Sequence, residues 1–242
     1  TPGKEFVFHW QMNDDVHLLG TYSVGPDLVH PLLITSYSHC QLMDLDRDGM
    51  KELLLLYLDN TTGTSRVDFY DYNPAQNAMV LDTSAELSKG ISSITQIQDN
   101  FVQDMVPALY VTSTLANGSL VTDILVLGNY GLENITLNPE SNISTETLIL
   151  KEIYGSDINH DSVLELPSLT FLPEYNTPPS TDYWIISWLQ YNSDGISHPI
   201  FTTYHNDRGG WYLVLPDQWL GQLTISRYEN TNLGERSVTF YR

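Results

Sequence analysis

Residues 41–58, QLMDLDRDGMKELLLLYL, place three aspartates at alternating positions directly before an almost unbroken apolar run. Counted from Asp44 as position one, carboxylates stand at positions one, three, five and nine, and a glycine stands at position six. Alternating side chains in a tight loop turn their oxygens toward a common centre, and glycine permits the sharp bend. Such a centre suits Ca²⁺, which takes roughly six to eight oxygen ligands. The predicted ligands of this first loop are Asp44, Asp46, Asp48, the backbone carbonyl of Met50, and Glu52.

A second stretch, residues 154–172 (YGSDINHDSVLELPSLTFL), repeats this spacing. Ser162 replaces the glycine at position six, and the position-nine acid is again followed by leucine and an apolar segment. A single D-x-D-x-D pattern occurs in many solvated loops, whereas two copies with the same position-nine acid and the same flank indicate metal binding. The predicted ligands of this second loop are Asp157, Asn159, Asp161, the backbone carbonyl of Val163, and Glu165. We therefore predict two Ca²⁺ ions.

The acidic loops are not EF-hands. An EF-hand loop carries a bidentate glutamate at position twelve, and position twelve of the first loop is Leu55. The apolar run that follows the loop also favours a strand over an exiting amphipathic helix. We expect instead that the cation pins one end of a buried strand.

The composition favours a globular all-β protein. The 242 residues include 15 Tyr, 7 Phe and 5 Trp, and no long stretch shows the apolar rhythm of an amphipathic helix. The formal net charge of −20 argues against nucleic-acid binding, because so acidic a surface repels phosphates. No run of about 18 apolar residues occurs, so we predict no membrane span.

Turn signals divide the chain into meanders of short strands. Asn117-Gly118 between two alternating runs is a strong hairpin signal. A unit of entering strand, acidic loop and meander recurs about every 55 to 60 residues, which is typical of stacked or radially arranged sheets. The entering strands are predicted at residues 31–37, 92–98 and 146–153. We predict one β domain over residues 1–242 with about four repeat units, metal loops at 44–52 and 157–165, a degenerate loop near 98–106, and an insertion loop at 173–182.

The two loops resemble the FG-GAP or VCBS-type repeat of integrin-α-like β-propellers and of many bacterial extracytoplasmic proteins. The resemblance rests on D-x-[DN]-x-D-x-x-x-E between strands of a meander. It is close for the loops, looser for the meanders, and does not extend to the first or last 30 residues. It implies a β-propeller-like array of antiparallel meander sheets with calcium-binding loops between strands, exported from the cytoplasm.

These observations favour a non-catalytic, calcium-stabilised module for recognition or adhesion, secreted or anchored at the cell surface, for example as a lipoprotein. Its partner is a protein or a glycan. The alternative is an extracellular carbohydrate-active enzyme, or its accessory domain, with structural calcium. No zinc-hydrolase, nucleophile-elbow or phosphate-loop motif occurs, so no catalytic residue and no organic-cofactor site is predicted. An aromatic set is either core or a ligand platform: Tyr183, Trp184, Trp188, Tyr191, Trp211, Tyr212 and Trp219.

Overall fold

The computed structural model describes residues 4–11, 17–59, 61–175, 183–206, 209–230, 232 and 234–242. These residues form 17 β-strands and three single-turn 3₁₀ helices, and no α-helix occurs among them. The predicted all-β class is therefore confirmed. Nor is any helix in this part of the chain long and apolar enough to cross a membrane. The chain divides into two compact units, Thr1–Lys151 and Glu152–Arg242.

The first unit contains three antiparallel sheets, each a meander of sequential neighbours. Sheet one comprises β1 (Lys4–Gln11), β2 (His17–Val24) and β3 (Val29–Tyr37). Sheet two comprises β4 (His39–Met43), β5 (Glu52–Asp59), β6 (Thr64–Asn73) and β7 (Ala78–Glu86). Sheet three comprises β8 (Ile91–Val102), β9 (Val106–Leu115), β10 (Leu120–Gly128) and β11 (Gly131–Asn134). The Asn117-Gly118 hairpin joins β9 to β10, with Gly118 at φ 84°.

The second unit contains two antiparallel sheets. Sheet four comprises β12 (Leu166–Phe171), β13 (Trp184–Tyr191), β14 (Ser197–Asn206) and β15 (Trp211–Leu215). Sheet five is the hairpin of β16 (Thr224–Asn230) and β17 (Glu235–Tyr241). Their core contains Ile185, Tyr204 and Ile225. Residues 176–182 of the predicted insertion loop lie outside the described residues. The division of the chain into four repeat units stays a prediction.

The leucine run of the opening stretch forms β5, which is buried on both faces. Leu53 and Leu55 pack with Leu19 of sheet one. Leu54 and Leu56 belong to a second core shared with sheet three. Alternate side chains of a strand point to opposite faces, so a strand enclosed between two sheets is apolar without alternation. Sheet two is therefore the middle layer of the first unit.

The buried carboxylate of Asp123 accepts hydrogen bonds from three other segments beside sheet three. Asp123 of β10 is fully buried and accepts hydrogen bonds from the Ser88 backbone N–H (2.9 Å) and Ser88 hydroxyl (2.8 Å). The Ser144 hydroxyl (2.6 Å) and the Asn134 side-chain amide (2.9 Å) also donate to it. One side chain thus ties segments that lie 11 to 35 residues away along the sequence to the same strand.

The strand predicted at residues 146–153 is absent from the structure, and a 3₁₀ turn (Thr145–Thr147) begins there instead. The Thr147 hydroxyl explains the difference, because it donates to the Thr122 carbonyl (2.7 Å) and accepts from the Thr122 N–H (3.1 Å). A side chain thus makes hydrogen bonds that a strand backbone would otherwise supply. Only Ile149 makes a β-bridge to this sheet, with Leu120.

The degenerate middle loop is shorter than predicted. Residues 98–102 complete β8, and only the turn Gln103–Met105 connects it to β9. Asp104 and Met105 both adopt left-handed backbone conformations, with φ of 60° and 58°.

Candidate metal sites

The first acidic loop connects β4 to β5 and is closed at its base by a strand pair. Met43, directly before position one, pairs with Glu52 at position nine. Within the loop, ligand oxygens of four acids lie within 4.8 Å of one another: Asp44, Asp46, Asp48 and Glu52. Glu52 is only 3% exposed, whereas the acids at positions three and five face solvent. The structure therefore brings together all four side chains that the spacing selected in this loop.

Backbone amides orient these four carboxylates. The Leu45 N–H donates to Glu52 Oε2 at 2.8 Å. The other three bonds run from Asp48 N–H to Asp46 Oδ1 (2.9 Å), from Gly49 N–H to Asp44 Oδ2 (3.2 Å), and from Met50 N–H to Asp48 Oδ1 (2.7 Å). Met50, the predicted carbonyl ligand, is about half exposed at the end of this turn.

The second acidic loop has the same construction. Ser156, directly before position one, bridges to Glu165 at position nine. Ligand oxygens of Asp157, Asp161 and Glu165 lie within 4.8 Å of one another. The same four bonds recur, from Ile158 N–H to Glu165 (2.8 Å), Asp161 N–H to Asn159 (3.0 Å), Ser162 N–H to Asp157 (3.0 Å) and Val163 N–H to Asp161 (2.8 Å). Val163, the second predicted carbonyl ligand, is buried beside the bridge.

The two loops also share two left-handed backbone positions. Position four is left-handed in both, at Arg47 (φ 67°) and His160 (φ 63°). Position six is left-handed in both as well, at Gly49 (φ 87°) and Ser162 (φ 72°). The side chain of His160 is exposed and belongs to neither acidic cluster. The serine thus adopts a conformation that glycine adopts without a Cβ penalty.

We expect Ser162→Gly to stabilise the second unit by about 1 kcal/mol, because it relieves a left-handed conformation at an L-residue. Chemical denaturation followed by tryptophan fluorescence measures this change. Gly49→Ser is the matched control in the first loop, where a Cβ would meet nothing within 4 Å, so only backbone strain changes. It should destabilise the first unit by a similar amount. A loss of stability in Ser162→Gly would contradict the strain argument.

Both position-nine glutamates are shifted toward the neutral form. Burial, followed by the negative charges of Asp46, Asp44 and Asp48, raises the pKa of Glu52 to about 7, although the Leu45 N–H opposes the shift. Burial also raises the pKa of Glu165. A divalent cation among these oxygens would favour the ionised forms and lower both pKa values.

The donor set fits a hard cation such as Ca²⁺. Every side-chain group in the first cluster offers carboxylate oxygen, and Asp44 Oδ1 is buried without a hydrogen-bond partner among the described residues. A buried charged oxygen without a partner is costly unless a cation or a water satisfies it. Neither of the two clusters contains a His or Cys, the softer ligands that Zn²⁺ prefers.

One polar neighbour of the second loop was not predicted from the sequence. Gln190 of β13 donates from Nε2 to Asp161 Oδ2 (2.8 Å) and to Glu165 Oε1 (2.6 Å). It lies 25 residues beyond Glu165 along the sequence, and no local motif marks it. The register of the β12–β13 pair is the signal, since Leu166 pairs with Leu189 and the next position places Gln190 beside Glu165.

The predicted aromatic set divides between core and surface. Trp188 and Tyr191 are buried, and the Trp188 indole N–H donates to the Thr203 hydroxyl at 2.9 Å. Trp211 and Tyr212 of β15 are exposed. A different aromatic row, which the sequence did not predict, is exposed on β1: Phe6, Phe8 and Trp10, with neighbouring ring centroids 6.3 and 6.1 Å apart.

Described residues line hollows at several places, and three of these bear on an enzymatic role: none of the three brings clustered carboxylates or His beside an exposed Trp. The first, of about 440 Å³, contains Asp71 and Asp82 without Trp or His. The second contains Trp211, and its one acid, Glu229, pairs with Arg236 at 3.0 Å. The third is lined by Tyr57, Asp59, Arg66 and Glu86, again without Trp or His.

No model of a known protein family matches the chain, and no curated protein matches its sequence.

Proposed function

We propose that the chain is a calcium-stabilised, β-propeller-like module of the FG-GAP or VCBS type that acts without catalysis in recognition or adhesion outside the cytoplasm. The observation that carries this proposal is the correspondence of the two acidic loops. They share four backbone-to-side-chain hydrogen bonds, two left-handed positions and a strand pair or bridge at the base.

Calcium in this proposal is structural. In each loop the side chains at positions one, three and five come from a turn, whereas the acid at position nine begins or directly precedes a strand of a sheet. A cation held by both groups would fasten the turn to the sheet. A ligand that binds only the folded state stabilises it by about 4 kcal/mol when its concentration is 1,000 times Kd.

The recognition role is supported by the surface. The exposed aromatic row on β1 offers apolar ring area to a protein or glycan partner. The enzyme alternative requires clustered carboxylates or His beside an exposed Trp, and these three hollows do not combine those groups.

Removal of calcium tests the proposal. We expect the melting temperature to be roughly 10 °C higher in millimolar calcium than in EGTA, since each kcal/mol shifts the melting temperature by about 2 to 4 °C in proteins of this size. Differential scanning calorimetry measures the shift, and metal analysis of dialysed protein gives the number of bound ions.

Millimolar magnesium is the matched control. It should give a much smaller shift, because Mg²⁺ demands near-ideal octahedral geometry and gives up its water reluctantly. Equal melting temperatures in calcium and EGTA, together with no bound ion, would contradict the proposal.

A separate experiment tests the recognition role. Binding to immobilised glycans and proteins is compared between wild type and Trp10→Ala, and equal binding would argue against the aromatic row.

A further inference from the structure

The two acidic loops differ in one buried contact. In the second loop the Gln190 side chain inserts its amide nitrogen between Asp161 Oδ2 and Glu165 Oε1. An ionised carboxylate oxygen accepts and does not donate, and in this contact the Nε2 end of the amide faces both oxygens. Gln190 is 5% exposed and Glu165 is fully buried. This contact is therefore part of the interior and not a chance surface bond.

The first loop has a different residue at the corresponding position. In sheet four Leu166 pairs with Leu189, and the next position along that ladder brings Gln190 beside Glu165. In sheet two Leu53 pairs with Tyr70, and the same step assigns Asp71 to the position across from Glu52. An aspartate side chain has no N–H group, so this position supplies no amide donor to the first cluster.

The first cluster also carries more carboxylate charge than the second. The first cluster contains four carboxylates, and its Asp44 Oδ1 is buried without a partner among the described residues. The second contains three carboxylates, and the amide nitrogens of Asn159 and Gln190 both donate to Asp161 Oδ2 at 2.8 Å. Amide N–H groups offset part of the charge that a cation would offset.

We propose that Gln190 is a positioning residue that competes with Ca²⁺ for the oxygens of the second loop, so that the two loops bind calcium with different affinities. This inference rests on the proposed calcium sites. The first loop binds Ca²⁺ tightly and depends on it for stability. The second binds Ca²⁺ more weakly, since the ion must displace Nε2 from Asp161 and Glu165, and it keeps its shape without the ion. Ligand charge count sets the affinity of calcium loops in the same direction.

Isothermal titration of calcium-free protein tests the competition. Wild type should show two classes of site that differ in affinity by at least about tenfold, the size expected for hydrogen bonds to charged groups. Asp46→Asn with Asp48→Asn should remove the tight class and isolate the weak one. In that background, Gln190→Met should bind calcium about tenfold more tightly, because it removes the competing donor at similar volume.

The melting temperature in EGTA supplies the second readout. Gln190→Met and Gln190→Glu should both melt at a lower temperature than wild type in EGTA, and Gln190→Glu should bind calcium most tightly. Tighter binding together with lower calcium-free stability is the signature of a competitor, because a merely structural role would lower both. Gln41→Met, a half-buried strand glutamine outside both loops, is the matched control and should change neither quantity.

Three outcomes would overturn the inference. Weaker binding in Gln190→Met would make the side chain a calcium ligand. Unchanged binding with lower stability in EGTA would reduce it to a structural contact. Two classes of equal affinity in wild type would show that the amide does not compete. An absence of saturable calcium binding in wild type would instead overturn the proposed calcium sites themselves.

Discussion

Replacing Asp123 with alanine is expected to lower the free energy of unfolding of the first unit by about 3 to 5 kcal/mol, the range for removing one member of a buried charged network. Burial raises the pKa of the Asp123 carboxyl, although donors from Ser144, Asn134 and Ser88 oppose the shift. Without the carboxylate, these donors remain in the interior without their acceptor. Urea denaturation followed by circular dichroism measures the loss.

Asp82→Ala is the matched control for this experiment. Asp82 is an exposed aspartate on β7 in the same unit, and its removal should change stability by less than about 0.5 kcal/mol. If Asp123→Ala cost no more than this control, the four hydrogen bonds would not stabilise the unit.

Glu52→Gln is expected to have opposite effects with and without calcium. In EGTA at pH 8 the variant should be more stable than wild type by about 3 kcal/mol, the free energy that corresponds to raising the pKa of a carboxyl from 4.5 to about 7. Folded, ion-free wild type keeps Glu52 protonated to higher pH than the unfolded chain does. The stability from this group is therefore complete below about pH 4.5 and is lost as the pH rises through 7. Glutamine does not titrate.

In millimolar calcium the order of stability should reverse. The cation requires the ionised position-nine carboxylate, and an amide supplies only one neutral oxygen, so the variant loses most of the stabilisation from the first loop. Thermal melts of both proteins at pH 5 and pH 8, in EGTA and in calcium, measure this reversal. Glu133→Gln, at an exposed position of β11, is the control and should show no reversal. A variant that is less stable than wild type in all four conditions would contradict the electrostatic argument.

The acidic loops and the buried strand beside them follow from local sequence. The acids at positions one, three, five and nine and the strand after the loop all lie within about 15 consecutive residues. The spacing alone therefore selected Asp44 and Glu52. Leucines on successive positions likewise indicated a buried strand, and the structure adds that both of its faces are covered.

Long-range contacts could not be predicted in the same way. Ser88 and Ser144 reach Asp123 from 35 and 21 residues away, and Gln190 reaches Glu165 from the far side of the insertion loop. The Gln190 contact depends on strand register, and the two serine contacts depend on the paths of connections between strands. The hydrophobic pattern fixes neither. The strand expected at residues 146–153 failed for a related reason, because the Thr147 hydroxyl bonds to Thr122 and replaces the backbone pairing.

The leucine run of β5 does not by itself fix the register of this strand against its neighbours. A strand with one polar face resists slipping by one residue, because the slip would turn apolar side chains to solvent. In β5 such a slip would merely exchange Leu53 and Leu55 for Leu54 and Leu56. Glu52 breaks this degeneracy, since it pairs with Met43 and accepts the Leu45 N–H. The acidic loop thus fixes the register of a strand whose apolar residues alone would allow more than one.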